Sequence, residues 1–119
     1  MDDKQKLEQF LSEQQFMVLA VTLADGTPWA VPVRIGKHEA GDFWWDSALE
    51  TEHSKVISDS TPVAITIYQK TESIMFGFYA KGVATLVEEY KPGYGRYKFT
   101  VNECWINDET FVKREVSLG

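Results

Sequence analysis

The chain has 119 residues, 44% of them hydrophobic and 13% aromatic, which predicts a single domain over residues 1–119 and excludes a disordered chain. Eighteen Asp and Glu against twelve Lys and Arg give a net charge of −6, so we expect no nucleic acid partner because its phosphates would be repelled. The single thiol, Cys104, cannot form an internal disulfide, and no apolar run reaches membrane-spanning length. These features predict a cytoplasmic protein with no membrane partner.

The first half of the chain predicts a helix followed by a hairpin. Leu7, Phe10 and Leu11 lie on one face of residues 3–14, which indicates a short amphipathic helix with Asp2 or Asp3 as its N-cap. The next strand is apolar almost throughout and is expected to be buried on both faces. The strands predicted in this half are 16–23, 29–35 and 43–45, separated by turns at 25–26 and 36–42.

A second helix is predicted after the aromatic strand. Residues 49–59 contain few strand-forming residues, Ser47 can serve as the N-cap, and Pro62 would stop the helix from extending. Ser and Thr are frequent N-cap residues, so Thr51 is a second candidate for that role.

Strands dominate the rest of the chain. Gly77 and Gly82 interrupt a long predicted strand, and glycines inside strands indicate bulges, bends or close backbone approach. Pro92, Gly93 and Gly95 predict a loop over residues 88–95. The strands predicted here are 63–68, 74–87, 97–106 and 111–118, with turns at 70–73 and 107–108. The count of six or seven strands with two short helices predicts a mainly β fold, an antiparallel barrel.

Several motifs occur in an order that resembles a known family. They are Asp25-Gly26-Thr27-Pro28, Val31-Pro32-Val33-Arg34, Phe43-Trp44-Trp45-Asp46-Ser47, His53-Ser54-Lys55-Val56-Ile57, residues 62–68 and Lys81-Gly82-Val83-Ala84-Thr85-Leu86. Over residues 5–106, their order and spacing resemble those of the split β-barrels related to pyridoxamine 5′-phosphate oxidase. These proteins bind flavin mononucleotide (FMN).

The resemblance implies a homodimer with FMN in a groove between two barrels. It places the flavin ring against Val31, Pro32, Val33 and Arg34, and the phosphate at Ser47, Thr51 and the residues that follow. Glu52 and His53 stand where the oxidases have Arg and Lys, so Lys55 or Arg34 would have to supply a cation. The expected cofactor-binding residues are Val31, Pro32, Val33, Arg34, Ser47, Thr51, His53, Ser54 and Lys55. From the residues alone, 53–55 could equally be a solvated helix face, and Arg34 could simply point into solvent.

Three hypotheses of function follow. The first is an FMN-binding protein that acts as a flavin-dependent oxidoreductase on a small electron donor or acceptor, with catalytic residues unassigned. The second is a non-catalytic module for haem, a deazaflavin or another planar ligand, and the third is a homodimer that has lost cofactor binding. Zinc-ligand spacing is absent, and Cys104 beside a Trp in a strand is expected to be buried and inert. The end of the sequence at Gly119 lacks the family's substrate-binding Arg and His residues, so we do not expect vitamin B6 oxidation.

Overall fold

The structure, a computed structural model, describes residues 1–118; Gly119, the last residue of the predicted domain, lies outside the described residues. Its helices are α1 (Asp3–Ser12) and α2 (Glu52–Lys55). Its strands are β1 (Phe16–Thr22), β2 (Pro28–Arg34), β3 (Lys37–Glu39), β4 (Asp42–Ala48), β5 (Thr61–Lys70), β6 (Met75–Lys91), β7 (Tyr94–Asp108) and β8 (Arg114–Val116). Within these residues neither helix is long and apolar enough to cross a lipid bilayer.

All strands belong to one antiparallel sheet in the order β2-β1-β5-β6-β7-β4-β3, with β8 also paired to β7. The sheet curls so that one face encloses the core and β2 approaches β4, although the two are not neighbours in the hydrogen-bonded order. The expected mainly β fold, a split antiparallel barrel with two short helices, is therefore confirmed. The structure has eight strands because β3, of three residues, forms inside the segment 36–42 that was predicted as a turn. β8, also of three residues, is shorter than the strand predicted over 111–118.

The predicted N-terminal helix is confirmed, including its cap. The Asp2 side chain accepts a hydrogen bond from the Gln5 backbone N–H at 2.8 Å, and the Asp2 N–H donates to Gln5 Oε1 at 2.9 Å. This reciprocal pair satisfies two backbone donors that a helix end leaves free. Leu7, Phe10 and Leu11 are buried, and the ring of Phe10 packs 4.5 Å from that of Phe76, so α1 covers part of the core.

The prediction that β1 is buried on both faces was wrong. Burial alternates along it: Met17, Leu19 and Val21 point into the core, whereas Val18 and Ala20 lie on the outer face of the sheet. The alternation arises because only one face of this antiparallel sheet is covered by other elements. The apolar residues between the core positions therefore form an uncovered surface.

The loop predicted over residues 88–95 is instead the tip of a hairpin. β6 continues to Lys91 and β7 begins at Tyr94, so the chain reverses at Pro92 and Gly93, where Gly93 has a φ of +83°. The predicted turn at 107–108 likewise lies at the end of β7. Only the two residues at the tip of the hairpin have to leave the β6–β7 pairing. Cross-strand hydrogen bonds therefore keep the other residues of the predicted loop in the strands, although their sequence favours a turn.

Gly82 has the close backbone approach that was expected from its place in a strand. The pairing of β6 with β7 shifts register between Lys81 and Gly82, where Asn102 has no partner and forms a bulge. A Cβ atom on Gly82 would lie 2.0 Å from the backbone oxygen of Thr100. Because that contact is with backbone, this position requires glycine.

A charged cluster fastens the two ends of the chain. The Arg114 guanidinium donates from Nε to Asp3 Oδ2 at 2.9 Å and from Nη2 to Asp108 Oδ2 at 2.8 Å. Asp108 is 1% exposed, and its hydrogen bonds from Arg114 and Thr110 hold the pKa of its carboxyl well below the usual range. We call Arg114, Asp3 and Asp108 the terminal clamp.

We expect Arg114→Met to lower the free energy of unfolding clearly, because it leaves the buried Asp108 carboxylate without its cation. Arg96→Met is the matched control and should have a much smaller effect, since Arg96 pairs with Asp46 and Glu88 at the surface. Urea denaturation of both variants measures the difference, and equal losses would contradict the role given to the clamp.

Candidate functional site

The candidate site begins at the end of β4. Phe43, Trp45 and Ser47 alternate along this strand on its inner face, so the Ser47 hydroxyl follows two core aromatics toward one end of the barrel. The residue opposite Ser47 in β7 is Gly95, where a Cβ atom would lie 2.7 Å from Leu86 Cδ1. The glycine therefore leaves room for the side chains of Leu86 and Leu49 next to the end of β4.

The helix predicted over 49–59 was wrong in extent, and Ser47 is not its cap. α2 has four residues, and Thr51 is its N-cap, accepting a hydrogen bond from the Ser54 backbone N–H at 3.2 Å. Ser47 remains in β4 because its pairing with Gly95 continues the ladder past the aromatic residues. The rest of the predicted helix is turn and loop before β5.

His53 turns inward and joins the hydroxyls. Its Nε2 lies 3.0 Å from Ser47 Oγ and 3.4 Å from Thr51 Oγ1, and only 6% of the residue is exposed. Thr51 Oγ1 lies 2.6 Å from Ser54 Oγ, and Ser54 is 4% exposed. We call Ser47, Thr51, His53 and Ser54 the polar cluster.

Burial sets the charge of the polar cluster. It lowers the pKa of His53 because the imidazolium form loses more hydration than the neutral ring. The cluster therefore presents hydroxyls and a neutral imidazole, which can donate hydrogen bonds to an anion but carry no charge of their own. An anion at this position would need a cation from outside the cluster.

Two of the predicted residues could supply that cation. Lys55 lies on the outer side of α2, with 58% of its side chain exposed, and its Nζ is 3.4 Å from Glu52 Oε1. Arg34 is exposed at the last position of β2. Because an exposed i,i+3 pair is weak, Lys55 can exchange Glu52 for another anion at little cost.

The four β2 residues divide between the two faces of the sheet. Val33 is buried opposite Met17 and Val31 is partly buried, whereas Pro32 and Arg34 are exposed on the outer face. After β2, the Gly36 N–H donates to the Trp44 carbonyl at 2.7 Å, and Lys37 pairs with Trp44. Since this pairing is antiparallel, Arg34 before it and Ser47 after Trp44 lie toward the same end of the sheet.

The structure thus brings Ser47, Thr51, His53 and Ser54 into direct contact and leaves Lys55 beside them on the surface. The β2 residues form a separate wall that ends near the same region. The assignment of both groups as cofactor-binding residues stays a prediction.

Two buried polar atoms near the polar cluster were not predicted from the sequence. Trp45 and Tyr97 face each other across β4 and β7 with ring centres 5.5 Å apart, and neither Trp45 Nε1 nor the Tyr97 hydroxyl has a hydrogen-bond partner among residues 1–118. Of the adjacent Trp44 and Trp45, Trp45 is the one in the core. Alternation along β4 places it on the same face as Ser47, but the sequence does not reveal the partner from β7.

Other candidate chemistries find no support in residues 1–118. Cys104 is 1% exposed, its Sγ donates to the Val116 carbonyl, and burial raises its pKa to about 11. The thiol is therefore inert at neutral pH, as its position predicted. No cluster of three metal-ligating side chains occurs in the part of the chain that the structure describes.

A family model described as pyridoxamine 5′-phosphate oxidase matches residues 3–113. The chain belongs to this family, and the resemblance seen in its motifs is confirmed. Comparison with curated proteins gives no match.

Solved structures share the fold at low sequence identity. One is a protein from Clostridium acetobutylicum related to general stress protein 26 of Bacillus subtilis, from the pyridoxinephosphate oxidase family; it has a TM-score of 0.79 and 11% identity, covering 98% of this chain and 96% of that one. A haem-binding protein from Mycobacterium smegmatis has a TM-score of 0.76 and 14% identity, covering 90% and 54%. An FAD-binding protein from the same organism has a TM-score of 0.73 and 10% identity, covering 91% and 97%.

We expect the stability of the protein to fall as the pH is lowered from 7.5 to 5.5, with part of that loss due to His53. Its pKa is lower in the folded than in the unfolded chain, so the unfolded chain binds more protons as the pH falls through about 6.5. The stabilisation is complete above that pH and is lost below it, by at most about 1.4 kcal/mol per pH unit. His53→Gln should make the dependence of the unfolding free energy on pH shallower; an unchanged slope would mean that His53 titrates as in the unfolded chain.

Proposed function

We propose that this chain is an FMN-binding protein that acts as a flavin-dependent oxidoreductase. The observation that carries the proposal is the polar cluster, in which Ser47, Thr51 and His53 converge at the end of β4, where the family resemblance implies the phosphate. Membership of the pyridoxamine 5′-phosphate oxidase family and the fold shared with an FAD-binding protein support a flavin ligand.

The residues present fit a phosphate in part. Ser47 and Thr51 are only partly buried, so their hydroxyls can turn toward a ligand and donate to its oxygens. The neutral His53 imidazole can donate a hydrogen bond through one ring nitrogen but does not balance a dianion. The charge would have to come from Lys55 on the surface of α2 or from Arg34 at the end of β2.

A bound flavin would supply the redox chemistry, passing one or two electrons between a small donor and acceptor. The chain's own contribution is position and polarity. Pro32 and the partly buried Val31 give β2 an accessible apolar surface that suits a flat aromatic ring, and the hydroxyls would fix the phosphate end.

Haem is the second candidate, favoured by the fold shared with a haem-binding protein. A neutral imidazole is the form that ligates iron, and His53 is neutral. Its Nε2, however, is occupied by Ser47 and the ring is 6% exposed, so it could bind iron only after the polar cluster opened. This geometry favours the flavin.

The absorbance spectrum of the purified protein, before and after addition of FMN, distinguishes these functions. Absorbance bands of a flavin at about 370 and 450 nm support the proposal, whereas a Soret band would identify a haem protein. A colourless protein whose added FMN passes freely through a dialysis membrane would contradict both and favour a homodimer without cofactor.

We expect Lys55→Ala to weaken FMN binding about tenfold and to leave the binding of riboflavin, which lacks the phosphate, unchanged. The loss of one charge-assisted contact has roughly this effect on affinity. Lys37→Ala is the control because Lys37, on β3, lies over the ring of Trp44 and away from α2. Flavin fluorescence titrations measure the affinities of the wild-type protein and both variants for FMN and riboflavin, and equal FMN affinities for the two variants would leave Arg34 as the cation to test.

We further propose that the protein is a homodimer, with the side of the barrel near β2 as its interface. Two large apolar side chains are exposed side by side there, on the outer face of β1 and β5: Phe16 is 54% and Tyr68 57% exposed. Exposed apolar residues concentrated beside an unpaired strand edge favour association through a symmetric contact. Light scattering at micromolar concentration should give twice the 13.6 kDa mass of one chain, and a monomer mass would contradict the dimer.

A further inference from the structure

The outer face of the sheet contains a cavity far from the polar cluster. Strand pairing aligns Thr66, Tyr79 and Trp105 across β5, β6 and β7, and aligns Ala20 and Ala64 in the neighbouring row. The small alanine side chains leave a depression beside the taller aromatic residues. The result is a cavity of about 490 Å³, which we call the outer cavity.

Two lysines line this cavity beside the same indole ring. Lys81 Nζ lies 5.5 Å from the centre of the Trp105 ring, and Lys113 Nζ lies 5.4 Å from the same centre and 4.9 Å from the centre of Tyr79. Lys81 has a loose surface contact with Glu103 at 3.9 Å. Among residues 1–118, Lys113 has no carboxylate within 4.0 Å.

The arrangement concentrates positive charge on a chain whose net charge is −6. Two ammonium groups near one ring repel each other. The aromatic faces offset part of that repulsion, as do two exposed carboxylates: Glu103, 3.9 Å from Lys81 Nζ, and Glu115, which pairs with Trp105 between β7 and β8. A concave, partly apolar wall strengthens their field, because less water screens it. The charge that would relieve this repulsion is an anion.

We propose that the outer cavity binds a small, flat aromatic molecule that carries one anionic group. The anionic group pairs with Lys81 and Lys113, and the aromatic body packs against Trp105 and Tyr79 over the floor formed by Ala20 and Ala64. The volume lies in the range of small-molecule sites, and its mixture of apolar surface with a few converging polar groups is typical of them. This site is independent of the proposed flavin site.

The probe for this site is 8-anilinonaphthalene-1-sulfonate, a flat aromatic anion whose fluorescence rises in an apolar site. Its uncharged counterpart, N-phenyl-1-naphthylamine, controls for apolar binding alone. We expect the double variant Lys81→Met, Lys113→Met to weaken binding of the sulfonate about tenfold or more, while binding of the amine stays the same. Methionine retains the length of the side chain and removes only the charge.

Two matched variants complete the experiment. Lys37→Met removes another lysine that lies over an indole, 4.3 Å from the Trp44 ring, but lies outside the outer cavity, and it should leave the affinity for the sulfonate unchanged. Lys55→Ala tests the proposed flavin site and should also have no effect on the sulfonate, so that failure of either proposal is recognised separately.

Three results would overturn the proposal. Equal affinity of the wild-type and double-variant proteins for the sulfonate would show that the lysines do not bind it. Equal affinity of the wild-type protein for the sulfonate and the amine would show an apolar surface without anion recognition. An affinity for the sulfonate that falls as the protein concentration rises would show that a second copy of the chain occupies the cavity.

Discussion

The pairing of β6 with β7 holds the two parts of the sheet together. Among residues 1–118, the hydrogen-bonded pairing that links the strands β2, β1 and β5 to the β4–β3 pair runs through this hairpin. The pairing shifts register at three places, and at the first, Gly82, the bulge brings the Thr100 carbonyl too close for any side chain. Bulges bend the strand that carries them, so a residue without a Cβ atom is required at one of the points where this hairpin can curve around the core.

The position of the polar cluster follows from the same pairing. β7 holds β4 in register from Asp42 to Ala48, which fixes Ser47 on the inner face behind Trp45, and the chain then closes the end of the barrel with α2. Closure turns His53 inward and leaves Lys55 outside. The fold therefore separates the hydrogen-bond donors of the proposed phosphate site from its cation, and a ligand would have to bridge them.

Local sequence signals were sufficient for the elements whose structure depends on nearby residues. The N-cap of α1, with Asp2 as one of two candidates, the apolar face of that helix and the aromatic strand of residues 43–45 follow from patterns within a few residues. The family resemblance then supplied the barrel and the region of the candidate site.

The errors arose where distant pairing overrode local preference. Residues 88–91 and 94–95 carry turn-forming neighbours, yet they are strand because all of them except Tyr90 have a partner across the hairpin. Ser47 looked like a helix cap but lies in β4 opposite Gly95, and Val18 looked buried but lies on a face that no other element covers. The two lysines beside Trp105 are 32 positions apart, so no local pattern joins them.

The terminal clamp also changes how the chain can be cut and rejoined. Arg114 and Asp3 are 111 positions apart in sequence but hydrogen-bonded in space, so the contact acts as a noncovalent ring closure around nearly the whole fold. The cost in chain entropy of bringing the ends together is already met in the native molecule. A short peptide that joins the termini would therefore add little strain, and new ends could be opened at an exposed turn such as residues 71–74, which makes the fold well suited to circular permutation.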